Sequence, residues 1–253
     1  MKNKKNILIT GGMGRIGYYF SEEMAKQGHN VVSSDIKISN LQKKNLKKYK
    51  NHHFIKTDIT IEKDLKKLIK FSIHNLKNID VVLHCAYPKT KDWGKSFLNL
   101  NKKSLYLNIC NNLGVTIIFA KLITQQFLKQ KKGKFIFFSS IYGLSIPRFE
   151  DYPNPNKIYT PLEYVAIKSA IISVTKYLGK FFKKKNLQFN CISPGGLREK
   201  KQTKKFVLNY KKHCNSTGFL DPSDLSGVIS LLISDNSKLI NGQNIVVDDG
   251  WTL

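Results

Sequence analysis

Ile7-Leu8-Ile9-Thr10-Gly11-Gly12-Met13-Gly14-Arg15-Ile16-Gly17 is the stretch on which the fold turns. Three apolar residues read as a buried strand. The glycines read as a sharp turn, and a helix is expected from about Ile16 to Gln27. Glycines let the backbone turn tightly and come close to a phosphate. The helix start behind them offers unpaired amides and the positive end of its dipole. Gly11, Gly14, Arg15, Ile16 and Gly17 are therefore candidates to hold a dinucleotide pyrophosphate. An ordinary tight strand-to-helix turn would use the same glycines, so the context carries the reading.

Outward from this stretch, short apolar runs alternate with helical periodicity. Val31-Val32, Phe54-Ile55, Val81-Val82-Leu83, Phe135 to Phe138, Phe189 to Ile192 and Asn244 to Val247 read as strands. Helices are expected over about 64–76, 105–129, 162–184 and 224–234. Strands apolar on both faces, alternating with helices, imply an α/β fold: a doubly wound parallel sheet covered on each side. No repeat or linker interrupts the chain, so one domain over 1–253 is expected. Two segments break the rhythm: 144–161, rich in proline and aromatics, and 197–220, rich in lysine. Each follows a strand and should emerge at the carboxyl edge of the sheet, where open α/β folds bind ligands.

Composition narrows the class. With 253 residues, 41% hydrophobic and 24% charged, the chain can bury a full core, which excludes wholesale disorder. No apolar run approaches the ~20 residues of a membrane span. The basic start, Met1 to Lys5, leads into too short an apolar run for a signal peptide. Cys85, Cys110, Cys191 and Cys214 form no Cys-x-x-Cys pair, which argues against a zinc site or disulfide framework and fits a reducing cytoplasm. The net charge of +26 rests on 40 lysines and only three arginines, Arg15, Arg148 and Arg198, beside 22 asparagines. Lysine, asparagine and isoleucine share A/T-rich codons. A nucleic-acid binder usually relies on arginine for bidentate contacts. Codon bias and polyanion binding both fit the charge, but no helix-turn-helix or zinc-finger spacing supports the second.

Several residues carry chemistry. Asp35, at the end of the second strand, can accept both hydroxyls of a ribose and would repel a 2′-phosphate, which favours NAD over NADP. Arg15 pulls mildly the other way. Asp58, in Thr57-Asp58-Ile59, can either bond an adenine amino group or cap the next helix. Tyr164 and Lys168 stand four apart on one helix face. A phenol near its ordinary pKa of ~10 is a poor base at neutral pH, and a neighbouring ammonium lowers that pKa. Ser140 ends the fifth strand, where its hydroxyl can hold a substrate oxygen.

Taken together, the chain resembles the short-chain dehydrogenases/reductases of the single-domain type. The motifs occur in that family's order: Thr10-Gly11-x-x-x-x-Ile16-Gly17, Asp58, Ser140, Tyr164-x-x-x-Lys168, Asn190-x-x-x-Pro194-Gly195 and Gly242-Gln243-Asn244. The resemblance implies a Rossmann-type fold and an NAD-dependent oxidoreductase acting on an alcohol or ketone carbon. It makes Tyr164 the acid/base and Ser140 the oxygen-binding group. Lys168 tunes the tyrosine and holds the nicotinamide ribose. A relay asparagine falls on Asn112, with Asn111 as the alternative. The cofactor would also touch Ile59, Ala86, Pro194 and Gly195, and no metal is implied. A homo-oligomer built on the helices at 105–129 and 162–184 is a further implication.

Three departures stand out. His84-Cys85-Ala86-Tyr87 replaces the family's Asn-Asn-Ala-Gly, removing a structural asparagine. His84 reads as a hydrogen-bonded core residue rather than a catalyst. Arg15 replaces a motif glycine. Ser140 and Tyr164 are 24 apart, about twice the family's usual spacing, with Pro147, Arg148, Phe149, Glu150, Asp151, Tyr152 and Tyr159 in the added length. That insertion, with Ala86-Tyr87-Pro88 and Asp249-Gly250-Trp251-Thr252, is similar to a subgroup found with surface-sugar and flagellin-modification pathways. A sugar or sugar-derived substrate is the expectation that follows. Residues 198–212 hold seven basic side chains, Arg198, Lys200, Lys201, Lys204, Lys205, Lys211 and Lys212, against Glu199. Two readings stand: a positive lid that concentrates an anionic substrate, or a solvated lysine face. A catalytically silent NAD-binding subunit is the rival to an enzyme, and intact Ser140, Tyr164 and Lys168 argue against it.

Overall fold

The computed structural model describes residues 4–152, 160–199 and 202–253. Seven strands form one sheet: β1 (Asn6–Thr10), β2 (Asn30–Asp35), β3 (His52–Lys56), β4 (Val81–His84), β5 (Gly133–Phe138), β6 (Leu187–Pro194) and β7 (Asn244–Val247). All pairings are parallel, and the spatial order is β3-β2-β1-β4-β5-β6-β7. The order reverses between β1 and β4, which opens a crevice at their carboxyl ends. Register sets its floor: Thr10 lies opposite His84, and His84 opposite Phe137.

The helices are α1 (Arg15–Lys26), α2 (Asn40–Leu46), α3 (Glu62–Leu76), α4 (Lys102–Ile109), α5 (Val115–Gln130), α6 (Leu162–Phe181), α7 (Lys204–Lys211) and α8 (Ser226–Ile233). They cover both faces. On one, Leu65 and Leu68 of α3, Phe119, Ile123 and Phe127 of α5 and Ile171 of α6 pack on Leu8, Val82, Phe135 and Phe137. On the other, Phe20 and Met24 of α1 and Ile229 and Leu232 of α8 pack on Ile7, Ile9, Leu83 and Ile136. Each such side chain, once buried, contributes roughly 1.5–3 kcal/mol. The doubly wound sheet expected from alternating apolar runs is the observed architecture.

Two short helices lie outside the periodicity reading. α2 starts at Ser39, whose hydroxyl accepts from the Gln42 amide while Gln42 returns a bond to the Ser39 amide. α7 starts at Thr203, which caps the Phe206 amide. α4, a π-helical turn (Cys110–Gly114) and α5 run together as a helix of 29 residues, long and apolar enough to cross a membrane by length and composition. Its apolar residues are interspersed with polar ones, so no single run shows it. Phe119, Ile123 and Phe127 from this helix lie in the core against the sheet.

Candidate active site

The glycine turn is wound tightly at the crevice. Gly11 has φ +64°, and a Cβ there would lie 2.6 Å from the Ala86 amide nitrogen. A Cβ on Gly17 would lie 2.1 Å from the Gly11 carbonyl. The helix behind begins at Gly14 with no side chain capping it, so the first-turn amides of Arg15 and Ile16 are open to an anion. Asp35 closes the outer edge: its oxygens accept from the amides of Met13 (3.0 Å) and Ile36 (2.7 Å). This donor set fits a dinucleotide, with uncapped amides for a pyrophosphate and a fixed carboxylate at the ribose end. Asp58 does not cap α3. Its Oδ1 accepts from the amide and hydroxyl of Thr60, forming a turn before the helix. The Ile59 side chain is buried in the core, so only its main chain can face a ligand.

Arg15 reaches away from the turn. Its guanidinium donates to the carbonyls of Leu197 (3.3 Å) and Arg198 (2.8 Å) and pairs with Glu199 at 2.9 Å. An exposed pair of this kind contributes at most about 1 kcal/mol. Its position matters more, because it joins the glycine turn to the segment after Pro194 and Gly195. That segment is fixed by the Gly195 amide on the Val247 carbonyl and the Gly196 amide on the Tyr210 hydroxyl (2.7 Å).

At the far side of the crevice, β5 delivers Ser139 and Ser140, and α6 delivers Tyr164 and Lys168. Ser139 donates to the Lys168 carbonyl at 2.7 Å, and a Cβ on Gly143 would lie 2.8 Å from that same carbonyl. These contacts lock the serine turn against α6. The Ser140 hydroxyl lies near enough to the Tyr164 phenol to act on it. Burial pushes the Tyr164 pKa up, opposed by the Ser140 hydroxyl and the positive charge of Arg15. Lys168 was expected to supply that positive charge. Its ammonium is instead aimed at the Phe138 carbonyl, 2.8 Å away, and lies 5.4 Å from the centre of the Tyr164 ring. Burial pulls the Lys168 pKa down to about 8.

Asn112 sits in the π-helical turn between α4 and α5. Its amide donates to the carbonyls of Pro88 and Asn108, both at 2.8 Å, while its buried Oδ1 has no partner. Beside it is a cavity of about one water's size, lined also by His84, Thr116 and Lys168. An unpaired acceptor next to such a space suits a water leading toward Lys168. His84 takes the structural place of the missing asparagine. Its ring bridges Thr10 of β1 (2.7 Å) and Thr116 of α5 (2.9 Å), and burial drives its pKa down to about 3, so it is neutral.

The lysine-rich segment divides. Phe206 and Tyr210 of α7 turn inward to Tyr152, Phe219 and Trp251. Lys204, Lys205, Lys211 and Lys212 are exposed on the other side, which fits the solvated-face reading. Lys200, Lys201 and Tyr159 lie outside the described residues. Asp151 of the added loop meets His213 at 3.1 Å, joining that loop to the end of α7. Among the described residues, no group of three His, Cys, Asp or Glu side chains is placed to hold a metal.

Composition and motif spacing gave no signal for Lys89 and Trp93. Yet the rings of Tyr87 and Trp93 pack edge-on against Tyr164, with centroids 5.3 and 6.1 Å away, and the Lys89 ammonium lies 3.8 Å from the Trp93 ring centre.

Residues 13–252 match the family described as enoyl-(acyl carrier protein) reductase. The chain is 32% identical to post-translational flagellin modification protein A of Campylobacter coli, over the full length of both. Among solved structures it is similar to a short chain dehydrogenase from Leptospira borgpetersenii with bound NAD+. That match has 28% identity and a TM-score of 0.87, covering 100% of this chain and 94% of the other. It is also similar to a 4-hydroxyisoleucine dehydrogenase complexed with NADH, at 25% identity and a TM-score of 0.78, covering 99% of each.

Proposed function

The chain belongs to the short-chain dehydrogenase/reductase family of NAD(P)-dependent oxidoreductases, and from that premise we propose an NAD-dependent enzyme acting on a secondary alcohol or ketone carbon of a sugar or sugar-derived compound. The observation that carries this reading is the convergence of the Ser140 hydroxyl and Tyr164 phenol beside Lys168, Asn112 and the glycine turn. Bound nicotinamide supplies or takes the hydride. Ser140 holds the reacting oxygen. Tyr164 takes the alcohol's proton in oxidation and returns it in reduction, which needs the phenolate in the first case and the phenol in the second. Lys168, held beside Tyr164 by its bond to the Phe138 carbonyl, would hold the nicotinamide ribose, and the Asn112 Oδ1 would orient a proton-relay water in the adjacent space.

Asp35 selects NAD over NADP, because its carboxylate repels a 2′-phosphate. NAD and NADH in the two similar structures support this choice. The sugar assignment is supported by the 32% identity to a flagellin modification protein. The chain acts as one unit, 1–253, with 144–161 and 197–220 shaping the substrate side. An exposed apolar face on α5 and α6, including Ile117, Leu128, Tyr177 and Phe181, supports a homo-oligomer. Four unpaired cysteines support a cytoplasmic setting. A screen of alcohols, sugars, sugar acids and nucleotide sugars with NAD, read as NADH absorbance, tests the reading. NADH formation from a sugar or its derivative is expected. Silence across the panel with NAD bound would favour a non-catalytic subunit.

A further inference from the structure

The loop after β4 is hydrogen-bonded to the elements that form the catalytic wall. The Thr90 amide donates to Asn108 Oδ1 at 3.1 Å, and Asn108 returns a bond to the Thr90 hydroxyl. The same Asn108 amide reaches the buried Glu163 carboxylate at 3.2 Å, next to Tyr164 in the chain. Ser104 of α4 donates to Asp92, and Asn112 holds the Pro88 carbonyl. The loop is thus tied to α4, the π-helical turn and α6, and what it presents between these ties is Tyr87, Lys89 and Trp93.

Lys89 is the unusual member. Its ammonium rests on the Trp93 ring at 3.8 Å, and among the described residues no carboxylate lies within 4 Å of it. The charges it feels are those of the crevice: Glu199 and Arg15 act on Lys89, and Lys89 acts on Lys168. Glu199 is already paired with Arg15. Arg15, Lys89 and Lys168 therefore stand against two carboxylates, Glu199 and the buried Glu163, which leaves one positive charge in excess beside Tyr164. Lys89 is exposed along its length, but its ammonium is partly desolvated against the Trp93 ring, and this and Arg15 lower its pKa while Glu199 opposes them. The indole face attracts the ammonium and fixes its position. Reachable from solvent and held in place, it can meet an incoming anion. The Trp93 indole N–H is also buried and makes no hydrogen bond of 3.5 Å or less.

We propose that Lys89, held over Trp93 beside Tyr164, receives the anionic group, a phosphate or carboxylate, of the substrate. This rests on the oxidoreductase reading above and moves the anion site from the exposed lysines of α7 to the loop after β4. The cofactor's pyrophosphate shares the same chemistry, but the uncapped amides at the start of α1 already provide for it. The aromatic pair packs instead on the ring that exchanges the proton.

Trp93 makes the site observable, because the chain has only two tryptophans. Tryptophan emission is followed in NAD-saturated protein during titration with glucose 1-phosphate, glucuronate and inorganic phosphate, with glucose as the neutral control. A saturable change with at least one anion and none with glucose is expected. Trp93→Phe should remove it. Lys89→Met and Lys89→Gln should weaken anion binding about tenfold or more, while Lys89→Arg retains it. If saturating NAD abolishes the response seen in nucleotide-free protein, Lys89 serves the cofactor's pyrophosphate and the proposal is overturned. It is also overturned if no anion gives a saturable change, or if the two neutral variants respond like the parent. Failure of the oxidoreductase reading would appear separately, as absent NADH formation with anion binding intact.

Discussion

Lys168→Met should change the pH dependence of folding in a calculable way. Lys168 is 8% exposed, and burial lowers its pKa from an ordinary 10.5 to about 8. Below pH 8 the native protein carries a desolvated ammonium at full cost. As pH rises from 8 toward 10.5, the native side chain is deprotonated while the unfolded one still binds its proton. Stability therefore rises with pH over that window. Those two values make the wild type gain about 2 kcal/mol between pH 7 and 9.5 from this group alone. Met cannot titrate, so the difference in stability between the two proteins should move by that amount in favour of the wild type. For a chain of this size, about 2 kcal/mol is roughly 4–8 °C in Tm. Thermal unfolding of both proteins at the two pH values, without nucleotide, measures it, and other titrating groups cancel in the difference. A Tm difference that stays constant with pH would refute the argument, and with it the view that this ammonium is held at a cost.

Asp35→Asn should weaken NAD binding about tenfold and bring NADP to comparable affinity by calorimetry, since the amide still accepts from a neighbouring N–H but no longer repels a 2′-phosphate. Continued strong preference for NAD would assign selection to another group. His84→Ala should cost about 2–4 kcal/mol in urea unfolding, because the Thr10 and Thr116 hydroxyls each lose a buried partner. A cost near zero would mean the imidazole does not brace the crevice floor.

Much of this was legible in the sequence for identifiable reasons. β1, β4 and β5 are buried on both faces, so they appear as apolar runs. Tyr164 and Lys168 share a face because helical geometry puts residues four apart together. His84 could be read as a core residue, but its span from β1 to α5 depends on tertiary packing. α2 and α7, of seven and eight residues, are too short and lysine-rich for periodicity to reveal. The Ser39-to-Gln42 capping pair was the available signal for α2. Lys89 was hidden among 40 lysines. Only the packing of Tyr87 and Trp93 on Tyr164 distinguishes it. The aim of Lys168 at Phe138, and of Arg15 at residues 197–199, likewise depends on which carbonyls the fold brings near.

The central claim is that Tyr164 exchanges the proton of an NAD-linked oxidation or reduction, and Tyr164→Phe tests it most directly. The variant loses one oxygen while its ring can keep its contacts with Tyr87 and Trp93. Turnover of the best compound from the substrate screen should fall by at least about a thousandfold, while the Kd for NAD by calorimetry stays within about threefold. Near-normal turnover with NAD still bound would contradict the assignment.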